Sequence, residues 1–363
     1  MKDDSNLPAE TKLPPVNRVV HVIHSPGVSI EPPQVTHIDL IPQPIRTSLD
    51  QIWNTPKPAR DIEFHSLHDV YVAGEGLVFS SNLEIFQPSI TQTSEAEVVA
   101  TLATLKEDLA LGRIKHHPQT SLLCGKAGLN NYGHWLAEML PRPFMSLEWV
   151  NRADGWKALI PKVYPWMAQV ISDSLDLIGV PPDRRILNTG EACHVEELVF
   201  ITGLSQHGQY FSPLIISAMD EVASRVPAGT HEKLWITREG EPRSLMDEPR
   251  FNELVTDHGW HVVRPLQLSF SEQVSLAKGA RHMAGVNGAG LANLLFMAPG
   301  GTLTSFVPSV MPDIYYWQMC AHRGLSYREI RSELVPGIAS ATGWDAPLTL
   351  GPEEVLRHLH AVP

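Results

Sequence analysis

The stretch Ala284-Gly285-Val286-Asn287-Gly288-Ala289-Gly290-Leu291-Ala292-Asn293-Leu294-Leu295-Phe296-Met297-Ala298-Pro299-Gly300 begins as a short apolar rise, Met283 to Val286, and passes into small residues. An apolar helix-like run follows and stops at Pro299-Gly300-Gly301. This reads as a strand, a tight glycine turn and the start of a helix. Such a turn brings bare backbone N–H groups and the positive end of a helix dipole to the rim of a sheet, where an anion can sit. The plainer reading is a glycine turn that only lets helix and strand pack closely. Both stay open on the motif alone.

Working outward, the same alternation continues on both sides. After this stretch come a strand at Thr302–Val307, a helix at Tyr315–His322, a strand at Ser326–Ile330 and a closing helix at Pro352–His360. Before it come strands at Lys233–Thr237 and Trp260–Val263, with helices at Glu248–His258 and Ser271–Lys278. An earlier set has strands at Ser121–Cys124, Ala158–Ile160, Arg185–Leu187 and Glu197–Phe200. Its helices are Tyr132–Val150, interrupted around Pro141 and Pro143, then Tyr164–Ile178 and Pro213–Val226. Further upstream lie strands at Val19–Ile23, Val70–Ala73 and Gly76–Phe79, and a helix from a Ser94 cap to Leu111. Strands alternating with helices predict an α/β protein with parallel sheets covered on both faces. The two blocks meet near Pro227-Ala228-Gly229-Thr230. They predict a loose arm over residues 1–18, one α/β domain over 19–226 and a second over 227–363. Ligands in such sheets bind beyond the carboxyl ends of the strands. A cleft between two facing domains is then the expected site.

Composition narrows the function. The chain has 363 residues and a formal charge of −12, which provides no basic surplus to neutralise a nucleic acid. The three cysteines, Cys124, Cys193 and Cys320, are scattered without metal-binding or disulfide spacing, as expected of reduced thiols in a cytoplasmic protein. Met1–Asn6 is polar and does not read as a signal peptide. No apolar run is long enough for a membrane span, which leaves peripheral contact with the inner face of a membrane open.

Three further segments carry chemistry. In Asn130–Arg142 a helix would place His134 and Glu138 on one face, with Arg142 a turn further on. This suits an acid–base and charge-stabilising set; it equally suits a surface His–Glu pair beside a core tryptophan. Arg238 and Arg243 follow a strand in a turn-rich loop, and their guanidinium forks could grip a diphosphate or simply be solvated. In Ser269-Phe270-Ser271-Glu272, Glu272 could reach ribose hydroxyls or close a capping box with Ser269. His116, His117, His194 and His207 show no metal-ligand spacing, and no nucleophile elbow, P-loop or Rossmann fingerprint is present.

Together these segments resemble glycosyltransferase family 61. The matching residues are Asn131, His134, Trp135, Glu138 and Arg142; Arg238 and Arg243; Ser269, Glu272 and Gln273; and Gly285, Gly288, Ala289, Gly290, Leu291, Asn293, Phe296, Pro299 and Gly300. The likeness spans roughly residues 120 to 310. Two positions depart from the pattern. Asn287 stands where the family usually has His before Gly-Ala-Gly, and Ser244–Glu248 lacks the usual Asn before Glu. Asn can donate a hydrogen bond but carries neither a proton nor a charge near neutral pH.

The resemblance implies a GT-B arrangement: two facing Rossmann-like, doubly wound domains with a cleft, the nucleotide sugar on the C-terminal one and the acceptor on the N-terminal one. It implies transfer with inversion, no metal and no cofactor, to a glycan or glycolipid acceptor in surface polysaccharide synthesis. On that basis Glu138 is expected as general base with His134 orienting it. Asn131, Arg142, Arg238, Arg243, Glu272, Asn287, Gly288, Ala289, Gly290, Leu291 and Asn293 are expected to contact substrates. Asn287 motivates a second reading, a non-catalytic nucleotide- or glycan-binding relative acting as scaffold or regulator. A metal-dependent hydrolase built on His134 and Glu138 is a third.

Overall fold

The computed structural model describes residues 17–360 apart from Ala153, Thr189, Ala339 and Ala341. The arm expected over 1–18 lies outside the described residues, save that its last two residues already belong to a strand. In chain order the strands are β1 (Asn17–Ser25), β2 (Gln34–Thr36), β3 (Arg60–Ala73), β4 (Leu77–Ser80), β5 (Lys115–His117), β6 (Ser121–Leu123), β7 (Lys157–Ile160) and β8 (Arg185–Leu187). They continue as β9 (Cys193–Thr202), β10 (Ser205–Gln206), β11 (Tyr210–Phe211), β12 (Lys233–Ile236), β13 (His261–Val263), β14 (His282–Val286), β15 (Thr302–Pro308) and β16 (Ser326–Ser332).

Two large sheets result. The first runs β1-β3-β9-β6-β7-β8, with β4 beside β3 and β5 beside β9; the second runs β13-β12-β14-β15-β16-β2. The second is parallel throughout, as its strand–helix alternation predicts. The first is mixed, which corrects the expectation of purely parallel sheets: β3 pairs antiparallel with β1, β4 and β9. The β3–β4 link is only Gly74-Glu75-Gly76, and so short a connection permits antiparallel pairing alone. The second sheet also draws β2 from the start of the chain, paired in parallel with β16.

Side chains alternate across each sheet as a period of two requires. From β12, β14 and β15, Leu234, Ile236, Met283 and Leu303 enter one core cluster, while Trp235, Ala284, Val286 and Phe306 enter another on the opposite face. In the first sheet, Phe64, Leu122, Ile160 and Ile201 share the former cluster, and Leu67, Leu123, Leu159 and Phe200 face away from it. Both sheets thus turn one face onto a single apolar layer. That layer holds the helices Pro165–Ile178, Ile215–Ser224, Phe270–Gly279 and Tyr315–Arg323.

Two helical segments differ from the sequence expectation, and both border the site. Tyr132–His134 is α-helical, but Trp135–Met139 widens into a π turn in which the Leu140 N–H donates to the Trp135 carbonyl at 2.8 Å. Pro141 explains the change: it has no N–H and its ring would crowd a carbonyl four residues back. The run past Gly288 is a 3-10 helix, Ala289–Phe296, and not an α-helix. This thinner rod fits the close approach of Gly133, where an added methyl would sit 3.5 Å from the Ala292 Cβ.

Candidate active site

The first group of side chains forms at the carboxyl end of β6. The chain there turns through Gly125 and Lys126 and enters the helical segment through Asn131, whose side chain caps the N–H groups of Gly133 (3.0 Å) and His134 (3.4 Å). Trp135 anchors the segment, its indole N–H donating to Ser174 Oγ at 2.9 Å. The π turn then aims Glu138 inward, where it is fully buried. Its carboxylate forms an ion pair with buried Lys126. It accepts from His134 Nδ1 at 2.5 Å, His207 Nδ1 at 3.3 Å and Ser205 Oγ at 3.3 Å. Burial alone would push the Glu138 carboxyl up, but the imidazole hydrogen bonds and the Lys126 and His134 charges hold it far below the usual carboxylate range. Arg142 lies beneath, donating to the carbonyls of Glu138 (3.1 Å), Leu123 (3.4 Å) and Gly125 (3.5 Å).

The second group forms where β12 and β14 end. Beyond β12, buried Glu248 accepts from Thr237 Oγ1 (2.8 Å), the Arg238 N–H (2.6 Å) and the Leu245 N–H (3.0 Å), and so shapes the loop that carries both arginines. Burial raises its pKa, opposed by those same hydrogen bonds. The Arg238 guanidinium donates to the Arg243 carbonyl and lies across Gly288, where a Cβ would come within 1.9 Å of Arg238 Nη1. Gly288 is extended (φ 175°), so the arginine, and not backbone strain, requires a glycine there. At Gly290 a Cβ would press on Ile236 Cγ2 (2.9 Å) and Pro265 Cγ (3.0 Å). Arg243 is mostly buried, and its Nε has no hydrogen-bond partner among the described residues; the Asp345 carboxylate stays 3.9 Å away. Burial and the neighbouring Arg238 charge both lower its pKa.

One short segment joins the groups. Asp313 accepts from Asn287 Nδ2 (2.8 Å) and from the Tyr315 N–H (2.7 Å), and the Tyr316 hydroxyl donates to the Gly288 carbonyl at 2.6 Å. The adjacent Tyr315 turns the other way. Its ring lies 5.5 Å from His134 and 5.8 Å from His207. Its buried hydroxyl lies against Glu138 without a well-aligned hydrogen bond. A second tie is buried Asn293, which accepts from the Tyr132 hydroxyl at 2.6 Å and donates to Gln273 Oε1 at 3.1 Å.

The structure therefore brings His134 and Glu138 together, and Arg238, Arg243, Asn287 and Gly288 beside them through Asp313, Tyr315 and Tyr316. Ala289 and Gly290 open the 3-10 helix. Among the described residues, the N–H groups of Gly288, Ala289 and Gly290 donate to no backbone acceptor, while those of Asn287 and Leu291 are taken by Phe306 and Gly288. Other expected substrate contacts sit elsewhere. The Leu291 side chain is core, Asn293 is a buried crosslink, Asn131 is a helix cap, and Arg142 is turned to carbonyls below the surface. Glu272 closes the capping box with Ser269, accepting from its N–H at 2.7 Å, and is exposed.

Lys126, Ser205, His207, Asp313, Tyr315 and Tyr316 were not legible as site residues. None has motif spacing to its partners, and only Asp313-Ile314-Tyr315-Tyr316 offered a polar–aromatic cue. His207, which lacks metal-ligand spacing in sequence, meets His134 and Glu138 in space, with donor atoms within 4.8 Å of one another. This trio has a composition able to hold a metal ion, although the Lys126 ammonium already occupies one Glu138 oxygen.

The comparison with curated proteins returns no match. A family model described as Glycosyltransferase 61 matches residues 132–304, from the first turn of the Glu138 segment to the middle of β15. The match takes in both arginines, the capping box and the glycine bend, so residues 132–304 carry a glycosyltransferase family 61 domain, which supports a glycosyltransferase enzyme.

Proposed function

We propose that the chain moves a sugar from a nucleoside diphosphate sugar to a hydroxyl of a glycan or glycolipid, with inversion at the anomeric carbon and without a metal. The observation that carries this reading is the pair of adjoining guanidiniums, Arg238 across Gly288 and paired with Glu241 at 3.7 Å, and mostly buried Arg243 beside it with only the distant Asp345, tied through Tyr315–Tyr316 to the Glu138 cluster. Two like charges side by side are costly unless an anion joins them. Diphosphate supplies that charge, and the N–H groups of Gly288–Gly290 at a helix start, which donate to no backbone acceptor among the described residues, add to it.

The proton goes to His134 in this reading, and not to Glu138. A fully buried carboxylate, held ionised by a lysine and two imidazoles, is a weak proton acceptor. If His134 donates its Nδ1–H to Glu138, its Nε2 is left as the basic atom, and the imidazolium formed is stabilised by the carboxylate behind it. The acceptor oxygen attacks the anomeric carbon as its proton passes to His134. The bond to the phosphate oxygen breaks, and its electron pair leaves with the nucleoside diphosphate. Arg238, Arg243 and the Gly288–Gly290 N–H groups take up that charge. The three thiols are free and buried, which suits a reducing compartment. No helix among the described residues is long and apolar enough to cross a membrane. We place the reaction in the cytoplasm, at the inner face of the membrane, in surface polysaccharide synthesis.

Titration calorimetry with UDP, GDP and CMP on wild type and an Arg238→Ala/Arg243→Ala double variant tests the site. One nucleotide should bind wild type and lose about 100-fold or more in the double variant, since each charge-assisted hydrogen bond is worth roughly 1.5–3 kcal/mol. Equal affinity in both proteins would remove the arginine clamp. Nucleotide binding without transfer to any acceptor would favour the scaffold reading prompted by Asn287.

A further inference from the structure

A second constellation lies at the same carboxyl edge of the parallel sheet, on its outermost strands and outside the segment matched by the family. β2 and β16 end side by side, and the residue after β2 is His37. His37 takes a left-handed backbone conformation (φ 57°) that few non-glycine residues adopt. Its Nδ1 lies 3.1 Å from the Arg331 carbonyl, which can only accept, so Nδ1 carries a proton and, in the neutral ring, Nε2 presents a lone pair. That lone pair faces Glu354 Oε1 at 3.8 Å. His358, four residues on along the closing helix Pro352–His360, completes the group, its ring 5.7 Å from that of His37.

Donor atoms of His37, Glu354 and His358 all lie within 4.8 Å of one another, and all three side chains are half-buried. A lone pair and a carboxylate facing each other repel unless a cation or a proton lies between them. A ring nitrogen anchored to a carbonyl while the other points at a carboxylate is the arrangement that orients metal-binding histidines. Ligand atoms on one zinc ion lie about 3.4 Å apart, given bonds of about 2.1 Å. The His37–Glu354 separation of 3.8 Å is near that value, and donor atoms within 4.8 Å of one another close on an ion by side-chain movement. The adjoining cavity, about 230 Å³, has Asp39 and Glu333 in its wall, and its one arginine, Arg331, is neutralised internally by Glu329.

We infer that His37, Glu354 and His358 bind one divalent transition-metal ion of the zinc class, with a fourth position open toward this cavity. Two imidazoles and a carboxylate suit zinc, and poorly suit magnesium or calcium, which take oxygen ligands. The ion fastens the closing helix to the turn after β2, and so clamps the two ends of the described chain together. The inference is independent of the transfer reaction proposed above.

The test uses the full chain, stripped with chelator and titrated with zinc chloride and, separately, cobalt chloride. Wild type should take up one equivalent, give the visible absorption bands of low-symmetry cobalt, and melt at a higher temperature with zinc than without. His207→Ala, which breaks the other possible donor trio, should still take up one equivalent of each ion. His358→Ala should bind no ion above background, and Glu354→Gln should bind at least ten-fold more weakly. His358→Asn, checked by circular dichroism, serves where the alanine variant fails to fold. No binding by wild type, binding that survives in the His358 variants, or binding lost in His207→Ala would overturn the assignment.

Discussion

The two halves of the candidate active site handle charge in opposite ways. Around Glu138 the charges are closed on one another: a buried carboxylate meets a buried ammonium, two imidazoles and a half-buried hydroxyl. Around Gly288 they are only loosely paired: two guanidiniums adjoin, Arg238 reaches Glu241 at 3.7 Å, and the Arg243 Nε has no hydrogen-bond partner among the described residues, its nearest carboxylate being 3.9 Å off. A closed network fixes geometry and resists reorganisation, as a proton-handling group requires. A loosely paired cationic corner binds whatever supplies more negative charge. The titration of two glutamates repeats the contrast. Glu138 is held well below the usual carboxylate range, whereas Glu248, which shapes the arginine loop, is raised above it.

Removing the imidazole should break the contrast most severely. His134→Ala is expected to lower kcat by about 10²–10⁴-fold while leaving nucleotide affinity unchanged; a rise in the donor dissociation constant alone would put His134 on the wrong side of the comparison. Lys126→Met leaves the Glu138 carboxylate buried without its ammonium. It should cost roughly 3–5 kcal/mol of stability in urea unfolding, and a neutral result would mean that the network is not closed as described. Gly288→Ala puts a methyl where the Arg238 guanidinium lies, and should weaken nucleoside diphosphate binding by about 10–100-fold, with an unchanged melting temperature. Unchanged binding would show that Arg238 has no part in holding the diphosphate.

The pH dependence sharpens the comparison further. The folded-state pKa of Glu138 is depressed, so its stabilisation is complete above the unfolded value of about 4.3 and is lost as pH falls below it. Glu248 has the opposite sign: its contribution is present below about 4.3 and is lost as pH rises through the folded value. Unfolding free energies measured from pH 3 to 7 should therefore show a flatter acid limb in Glu138→Gln and a steeper one in Glu248→Gln. His322, pushed down to about 4 by burial, loses stability as pH falls from its ordinary value toward 4 in every variant, and cancels in the differences. Both glutamine variants moving the acid limb the same way would end the contrast. The smallest effect is expected from Glu272→Ala, about 1 kcal/mol of stability through the lost capping box. An accompanying rise in donor KM would restore the ribose role first expected of that carboxylate.

The sequence made the parallel half of the fold readable because each strand of β12–β16 is followed by a strong helical signal and ended by a glycine or a polar turn. The mixed first sheet was hidden by β3, whose fourteen residues carry no turn signal and pair with three partners at once. Of the site, the glycine bend, the arginines and the His134–Glu138 pair were visible because each lies within a few residues of its motif partners. The components that set their chemistry were not visible. Lys126 and His207 reach Glu138 from separate loops, Glu248 holds the Arg238 N–H across a ten-residue loop, and Tyr316 reaches Gly288 from another segment. Spacing along a chain reports neighbours on one helix or turn, and a three-dimensional charge network leaves no such period. The π turn was missed for a related reason: Pro141 marks a disruption, but whether a helix kinks, stops or widens there depends on what packs against it.

The strand Gln34–Thr36 leaves the first half of the chain and completes the sheet of the second. During synthesis this segment emerges early and must wait for β16, the penultimate element of the described chain, before its hydrogen bonds can close. Contacts of such long sequence separation slow folding and join distant parts into one cooperative unit. A polypeptide truncated to residues 227–363 would therefore show β16 as a bare lateral edge, prone to sticking to other chains. Adding back a peptide covering residues 30–42 should relieve that self-association.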